Sequence, residues 1–404
     1  MGAVCRGVFG PRGSLTTKEK TMLFANANVF FDDRGFVPAG LRVENGVFAD
    51  VLPPESMEAG AVDLGGAKVI PGLIDLHIHG CKGADFSDGE EAGLRTMAAF
   101  LAQSGVTGFL PTSMTLPYEK LRRALAAAKQ LYDEMPGGLS RILGVHMEGP
   151  FLSEKKKGAQ NASWLKQPDP EAFRELYKSC GALIRIVDLA PELEGAVDFA
   201  RRASRLCTVS AAHTGADYAQ AAEFYAAGAR HLTHLFNAMT PFAHRAPGVI
   251  GAAAERDDVT AELICDGLHV HPSAVRMAFR LFPGRICLIS DALRCCGMPD
   301  GDYMLSGQKV VLSGGAARLA DGTLAGSSVT LYDCMLRAID FGIPETEAIR
   351  AVTLNPARVL GCGDRFGSIA PGKAADFVVC SEGLRRREVY IGGVRVEAPK
   401  NGRF

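Results

Sequence analysis

From about residue 68 to residue 361 the chain keeps changing its period. Short apolar, β-branched runs alternate with segments whose apolar residues recur at i, i+3 and i+4. The runs fall at 69–79, 106–112, 142–148, 183–190, 207–213, 231–236, 261–266 and 286–291. Helical spacing falls at 91–104, 119–135, 170–180, 193–206, 218–227, 272–281, 329–341 and about 345–360. Strands separated by helices pair in parallel, and eight such units over roughly 290 residues fit a (β/α)8 TIM-like barrel of the α/β class. A doubly wound sheet would also alternate, but it calls for a GxGxxG turn after its first strand, and none is present there.

The flanks read differently. Residues 22–67 and 365–404 hold short strands and turns, with Gly392-Gly393 marking a hairpin. Neither flank is long enough to bury a core alone. The expectation is one small β-sandwich domain built from both chain ends, beside a catalytic barrel of residues 68–364. Residues 1–21 carry charge and glycine without an apolar stretch and read as a disordered extension.

Charge narrows the partners. Lys+Arg (44) and Asp+Glu (45) leave a formal net charge of −1, so no broad positive field exists to gather nucleic acid or an anionic membrane. No apolar run approaches the ~20 residues that span a bilayer. An anionic group on a substrate must therefore meet a local cation. Eleven cysteines occur without a CxxC pair, and Cys207, Cys265, Cys287 and Cys380 sit in apolar runs. They read as reduced core residues of a cytoplasmic protein.

All nine histidines lie between positions 77 and 271. In a barrel of this kind the reactive side chains project from the C-terminal ends of the strands. Those ends carry His77 and His79, then Glu148, His213, His234 and Asp291. Residues i and i+2 of a strand share a face, so both imidazoles of the HxH can reach one ion or one pair of ions. Together the set offers nitrogen and carboxylate donors suited to zinc or iron. A lone HxH is frequent and proves little; five strand ends bearing ligand-type side chains carry the argument. His146 reads as a packed core histidine, and His231 and His244 as structural or surface residues.

Pro71-Gly72-Leu73-Ile74-Asp75-Leu76-His77-Ile78-His79-Gly80 resembles the first-strand signature of the amidohydrolase superfamily. The blocks His146-Met147-Glu148-Gly149-Pro150-Phe151 and Thr233-His234-Leu235-Phe236-Asn237-Ala238-Met239, with Asp266 to His269 and Ile289 to Ala292, resemble its branch of amino-sugar-phosphate deacetylases. Gly367 to Asp376 resembles the superfamily's return into the β domain, so the resemblance spans residues about 22–400. It implies metal-dependent hydrolysis of the N-acetyl group of N-acetyl-D-glucosamine 6-phosphate, giving D-glucosamine 6-phosphate and acetate in amino-sugar catabolism. A deacetylase for N-acetylgalactosamine 6-phosphate, or another amidase of the superfamily, is the alternative.

Position by position, the resemblance implies Glu148, His213 and His234 as main metal ligands and Asp291 as catalytic acid/base. Some members lack ligands where this chain keeps His77 and His79, which implies a second ion here with Glu148 as the bridge. Asn237, Ala238 and Arg245 match phosphate contacts, with Arg245 reaching the neighbouring site of a homodimer. His269 matches a substrate contact, Leu324, Ala325 and Gly326 a sugar-contacting loop, and Ala159 and Gln160 a further substrate segment. Where some members carry a histidine proposed to polarise the acetyl carbonyl, this chain has Gln160, which donates a hydrogen bond but takes no proton near neutrality. A second ion or His269 would then carry more of that task. A cyclic-amidase relative would be expected to place a lysine where Glu148 stands, and a non-enzymatic scaffold should have lost ligands.

Overall fold

The computed structural model describes residues 21–56 and 60–397. The extension expected at 1–21 lies outside them apart from Thr21, the first residue of the strand Thr21–Phe31. Strands and helices alternate through the middle of the chain. The first half comprises β1 (Leu73–Ile78), α1 (Glu91–Gln103), β2 (Val106–Ser113), α2 (Tyr118–Glu134), β3 (Val145–Met147), α3 (Pro170–Ser179), β4 (Ile184–Leu189) and α4 (Ala196–Ala203). The second comprises β5 (Thr208–Ala211), α5 (Tyr218–Ala226), β6 (His231–Leu232), α6 (Gly248–Ala254), β7 (Thr260–Ile264), α7 (Pro272–Leu281), β8 (Ile286–Ile289) and α8 (Leu331–Asp340). Two further helices follow, α9 (Glu345–Val352) and α10 (Leu354–Val359).

Each of the eight strands pairs in parallel with the next, from β1 to β8. The ring nearly closes where Ile78 bridges Ala292. This is the expected (β/α)8 barrel. Its longer strands are mostly apolar and buried almost end to end, because the barrel interior covers one face and the helices the other. Helix starts follow local chemistry. Asp169 caps α3 through the Glu171 and Ala172 N–H groups with Pro170 at the first helical position, and Asp217–Gln220 closes a capping box on α5.

Two elements escape the periodicity. Helix α6 is short and buried on every side, so it shows no amphipathic stripe. Between β8 and α8 the chain folds an antiparallel sheet from Gly301–Leu305, Gln308–Ser313, Ala316–Leu319 and Leu324–Gly326. Its apolar side (Leu305, Val310, Leu312, Ala317) packs on Met114, Ala159, Leu293 and Cys295 at the barrel mouth. The run 69–79 also divides. Lys68–Pro71 pairs with Phe377–Cys380 outside the barrel, and only the residues after Gly72 enter β1.

That outer pairing belongs to a sheet-rich domain built from both chain ends. Thr21–Phe31, Gly35–Glu44 and Val47–Leu52 join Lys68–Pro71, Phe377–Cys380, Arg386–Ile391 and Val394–Arg395 in one sheet. Its core also unites the two ends: Phe377 stacks on Tyr390 at 4.6 Å between ring centroids, and Phe24 meets both edge-on at 5.1 Å. Arg141, just before β3, ties the barrel to this domain by two parallel bonds to Asp376, each 3.1 Å. Asp376 is 7% exposed and also accepts from the Gly392 N–H. Arg141→Ala would strand that carboxylate and should lower unfolding free energy by about 2–3 kcal/mol, measured in urea with the barrel's helical signal intact before the transition.

Candidate metal centre and active site

The strand ends deliver their side chains in two ways. His77 is the fifth residue of β1 and His79 lies just past its end, so alternation turns both imidazoles inward, Nε2 to Nε2 at 3.3 Å. His213, His234 and Asp291 each lie two residues beyond the ends of β5, β6 and β8, and all three have left-handed backbones (φ 43°, 30° and 47°). Such backbones are strained for residues with a Cβ, and the packing around the mouth must hold them there. Glu148 follows β3 directly.

These six side chains converge. Glu148 Oε1 lies 3.0 Å from His213 Nε2 and 3.1 Å from His234 Nε2, and the two nitrogens are 3.1 Å apart. Glu148 Oε2 faces His79 Nε2 at 3.4 Å. Asp291 Oδ1 sits 3.2 Å from His79 Nε2 and 3.6 Å from His77 Nε2. All six residues are at most 8% exposed.

The outer ring nitrogens reveal which lone pairs face the cavity. His213 Nδ1 donates to the Lys156 carbonyl at 2.8 Å, His79 Nδ1 to the Thr112 carbonyl at 3.1 Å, and His77 Nδ1 to Glu262 at 3.0 Å. In its neutral form each of these three rings keeps its one hydrogen on Nδ1 and presents a bare Nε2 inward, which is the form a cation takes. Bare nitrogens and carboxylate oxygens at such spacing repel one another unless protons or cations lie among them. The donor set therefore fits divalent metal: Glu148, His213 and His234 form one group, and His77, His79 and Glu148 a second.

A third close group, His77, His146 and Glu262, differs. His146 Nδ1 meets the Leu76 carbonyl and Nε2 meets Asp188, both at 3.0 Å, so no lone pair is left for a cation. Burial opposes its charge, yet Asp188 and Glu262 outweigh that and push its pKa up to about 10. His146 and His231 are wholly buried; His244 is exposed.

Burial raises the Glu148 carboxyl, but hydrogen bonds from His213 and His234 and the nearby histidine charges prevail and hold it well below its usual value. Asp291 behaves alike: His77 and His79 overcome burial and lower it. The partners shift upward. Against burial, the Asp291 hydrogen bond and Glu148 push His79 up to about 9, and Glu148 pushes His234 up to about 9.

The residues expected to meet the substrate lie in several places. Gln160 donates to Glu148 Oε2 at 2.5 Å and accepts from the Thr115 N–H at 2.7 Å, so it braces the carboxylate. The Ala159 carbonyl accepts from Gln308 of the inserted sheet at 2.7 Å. Asn237 and Ala238 are half-buried on the turn after His234, and Ala238 has φ 51°. His269 Nδ1 donates to Asp266 at 2.6 Å, which orients the ring. Leu324, Ala325 and Gly326 form the last strand of the inserted sheet rather than a loop. A Cβ at Gly326 would come within 2.9 Å of the Asp291 carbonyl. Arg245 is exposed on the segment between His234 and α6. Glu262, Asp188 and Asp266 were not foreseen, although a lone carboxylate inside the buried runs of β4 and β7 is itself a signal.

The amidohydrolase family model matches residues 68–396. N-acetylglucosamine-6-phosphate deacetylase of Bacillus subtilis (strain 168) is 40% identical over 319 residues, covering 78% of this chain and 80% of that protein. N-acetylgalactosamine-6-phosphate deacetylase of Escherichia coli O157:H7 is 35% identical over 356 residues, 87% of this chain and 93% of its own. Among solved structures, a mutant N-acetyl-D-glucosamine-6-phosphate deacetylase from Mycobacterium smegmatis, in complex with N-acetyl-D-glucosamine-6-phosphate, superposes with TM-score 0.88 at 31% identity, over 94% of this chain and 100% of that one.

Metal uptake should be coupled to protons. With pKa values raised to about 9, His79 and His234 carry protons at pH 7 when no cation is bound. A divalent ion must displace them. Calorimetric zinc titrations in buffers of differing ionisation enthalpy should show proton release at pH 7 and little above pH 9, with apparent affinity rising between. Buffer-independent heats at pH 7 would contradict this picture.

Proposed function

The chain belongs to the amidohydrolase family, and from that premise we propose that it hydrolyses the N-acetyl amide of N-acetyl-D-glucosamine 6-phosphate to D-glucosamine 6-phosphate and acetate. One observation carries the reading: Glu148, His213 and His234 meet within 3.1 Å beside an Asp291–His79–His77 group, at the mouth of a barrel. The deacetylases of Bacillus subtilis and Mycobacterium smegmatis support the substrate.

Glu148, His213 and His234 would hold one zinc or iron ion, and His77 and His79, sharing Glu148, a second. When bound, such ions supply Lewis-acid activation of water and of the acyl oxygen. The remaining steps belong to the chain. Asp291, kept ionised by its histidine neighbours, accepts a proton from the attacking water and delivers it to the departing amine nitrogen. Gln160 is committed to Glu148 and so holds the carboxylate in place, leaving His269, braced by Asp266, to meet the developing oxyanion. Asn237 and Ala238 with Arg245 take the phosphate, and Leu324, Ala325, Gly326 and Ala159 border the sugar. Arg245 on its exposed segment suits a homodimer in which it reaches the neighbouring site, guanidinium meeting phosphate through its fork.

The chain is read as a barrel within residues 68–364 and a β domain from 22–67 and 365–404, to whose sheet Lys68–Pro71 adds a strand. Among the described residues no helix is long and apolar enough to cross a membrane. The ten described cysteines are buried, which suits the cytoplasm. A preference for N-acetylgalactosamine 6-phosphate is the second reading, favoured by the Escherichia coli relative.

Acetate release from both sugar phosphates, measured beside the metal content of the purified protein, tests the assignment. The gluco epimer should give the larger kcat/KM. Asp291→Asn should keep its metal and its fold while kcat falls by about 10²–10⁴-fold. Near-normal turnover in that variant would sink the proposed role of Asp291.

A further inference from the structure

Below the metal ligands lies a layer of buried charge that the reaction scheme leaves unused. Glu262 stands in the middle of β7 and is wholly buried. Its polar contacts among the described residues are all with nitrogen. Oε2 faces His77 Nδ1 at 3.0 Å and the His234 backbone N–H at 3.4 Å. Oε1 faces His231 Nε2 at 3.1 Å and His146 Nδ1 at 3.7 Å. The layer continues outward on both sides. His231 Nδ1 lies 2.6 Å from Thr260 Oγ1, and His146 passes through Asp188 to Thr233, whose hydroxyl is 2.7 Å from Asp188 Oδ1.

The placement of Glu262 is selective. Of the four histidine rings around the cavity, three anchor their outer nitrogen; two of those anchors are backbone carbonyls and only His77 uses a side chain. A carbonyl is fixed by the fold, whereas a side-chain anchor can be removed by one substitution. Because a carboxylate only accepts, the hydrogen shared with His77 must stay on Nδ1, which leaves the Nε2 lone pair on the cavity side.

We propose that Glu262 is a positioning residue for the His77–His79 ion. It fixes the tautomer and tilt of the His77 ring, and through the His234 N–H it also touches the chain that carries a ligand of the other group. The inference rests on the two-ion reading. Glu262→Gln replaces one oxygen by an NH2 group that cannot accept, and Glu262→Asp keeps the charge but draws it back from His77 by one methylene.

The test is zinc titration of dialysed protein by calorimetry, with bound metal counted, alongside circular dichroism and thermal unfolding. Wild type should take up two ions. Both variants should keep the first at wild-type affinity and hold the second about 10–100-fold more weakly. A wild type that binds a single ion overturns the two-ion reading, and this role with it. A wild type that binds two, with a folded variant whose second affinity is unchanged, overturns the role of Glu262 alone. If neither variant folds, imidazole ¹⁵N spectra of the zinc-loaded wild type decide. A zinc-bound Nε2 and a slowly exchanging Nδ1 proton on His77 are expected; zinc on Nδ1, or fast exchange there, overturns the proposal.

Discussion

Barrel closure depends on a short seam between the end of β1 and the segment after β8. Asp291 N donates to the His77 carbonyl at 2.9 Å, and the His79 and Gly80 N–H groups both reach the Ala292 carbonyl, at 3.0 and 2.9 Å. Asp75, inside β1, accepts from the Ser290 N–H at 3.3 Å beneath them. Backbone atoms of the candidate site residues thus tie the last strand to the first. Their side chains are placed by the same bonds, so the distance from Asp291 to His77 and His79 is a property of the closed ring. A change that loosened the seam would shift stability and chemistry together.

The seam also fixes what can cover the site. Ser327 N donates to the Asp291 carbonyl at 2.8 Å, and Leu293 N to the Ser327 carbonyl at 2.9 Å. The inserted sheet is therefore attached within two residues of Asp291 and leans over the mouth. Gly326 is glycine for a steric reason, since a side chain there would press on the Asp291 carbonyl and on Leu293. Gln308 reaches across to the Ala159 carbonyl, joining the far end of this cover to the segment that carries Gln160. Gln160 in turn holds Glu148. Cover and carboxylate are mechanically linked through three residues.

Much of this was legible in the residues, and the limits are physical. Alternation located all eight strands because both faces of each are buried, and it rightly paired His77 with His79. It could not foresee how His213, His234 and Asp291 turn inward, because each has left its strand and entered a left-handed kink that no side-chain period encodes. Their place at strand ends of a barrel marked those residues as candidates, and the resemblance implied their roles. The inserted sheet was missed because each strand is short and shows only one apolar face, and α6 because a helix buried all round has no stripe. The resemblance implies a loop at Leu324, Ala325 and Gly326, whereas the pairing of this segment with Ala316–Leu319 makes it the edge of a sheet.

The unforeseen carboxylates show why a site of this kind needs depth. Four histidines and two carboxylates around one cavity would, without further partners, be free to rotate, exchange tautomers or collect protons. Backbone carbonyls anchor His213 and His79, and Glu262 anchors His77. Among the described residues His234 Nδ1 is buried without a hydrogen-bond partner, and that ring is met from its Nε2 side by Glu148 and His213. It is the ring whose placement depends most on what fills the cavity. A near-neutral chain keeps this concentration of charge by pairing it internally: Glu262 and Asp188 against His146 and His231 below, Glu148 and Asp291 against four imidazoles above. In the lower layer both ring nitrogens of His146 and of His231 are engaged, so although Asp188 Oδ2 has no hydrogen-bond partner among the described residues, no ring lone pair is offered to a cation. The upper layer turns ring nitrogens and carboxylate oxygens toward one another with only protons or cations to separate them, and that imbalance makes its donor set, and not the lower one, fit a metal.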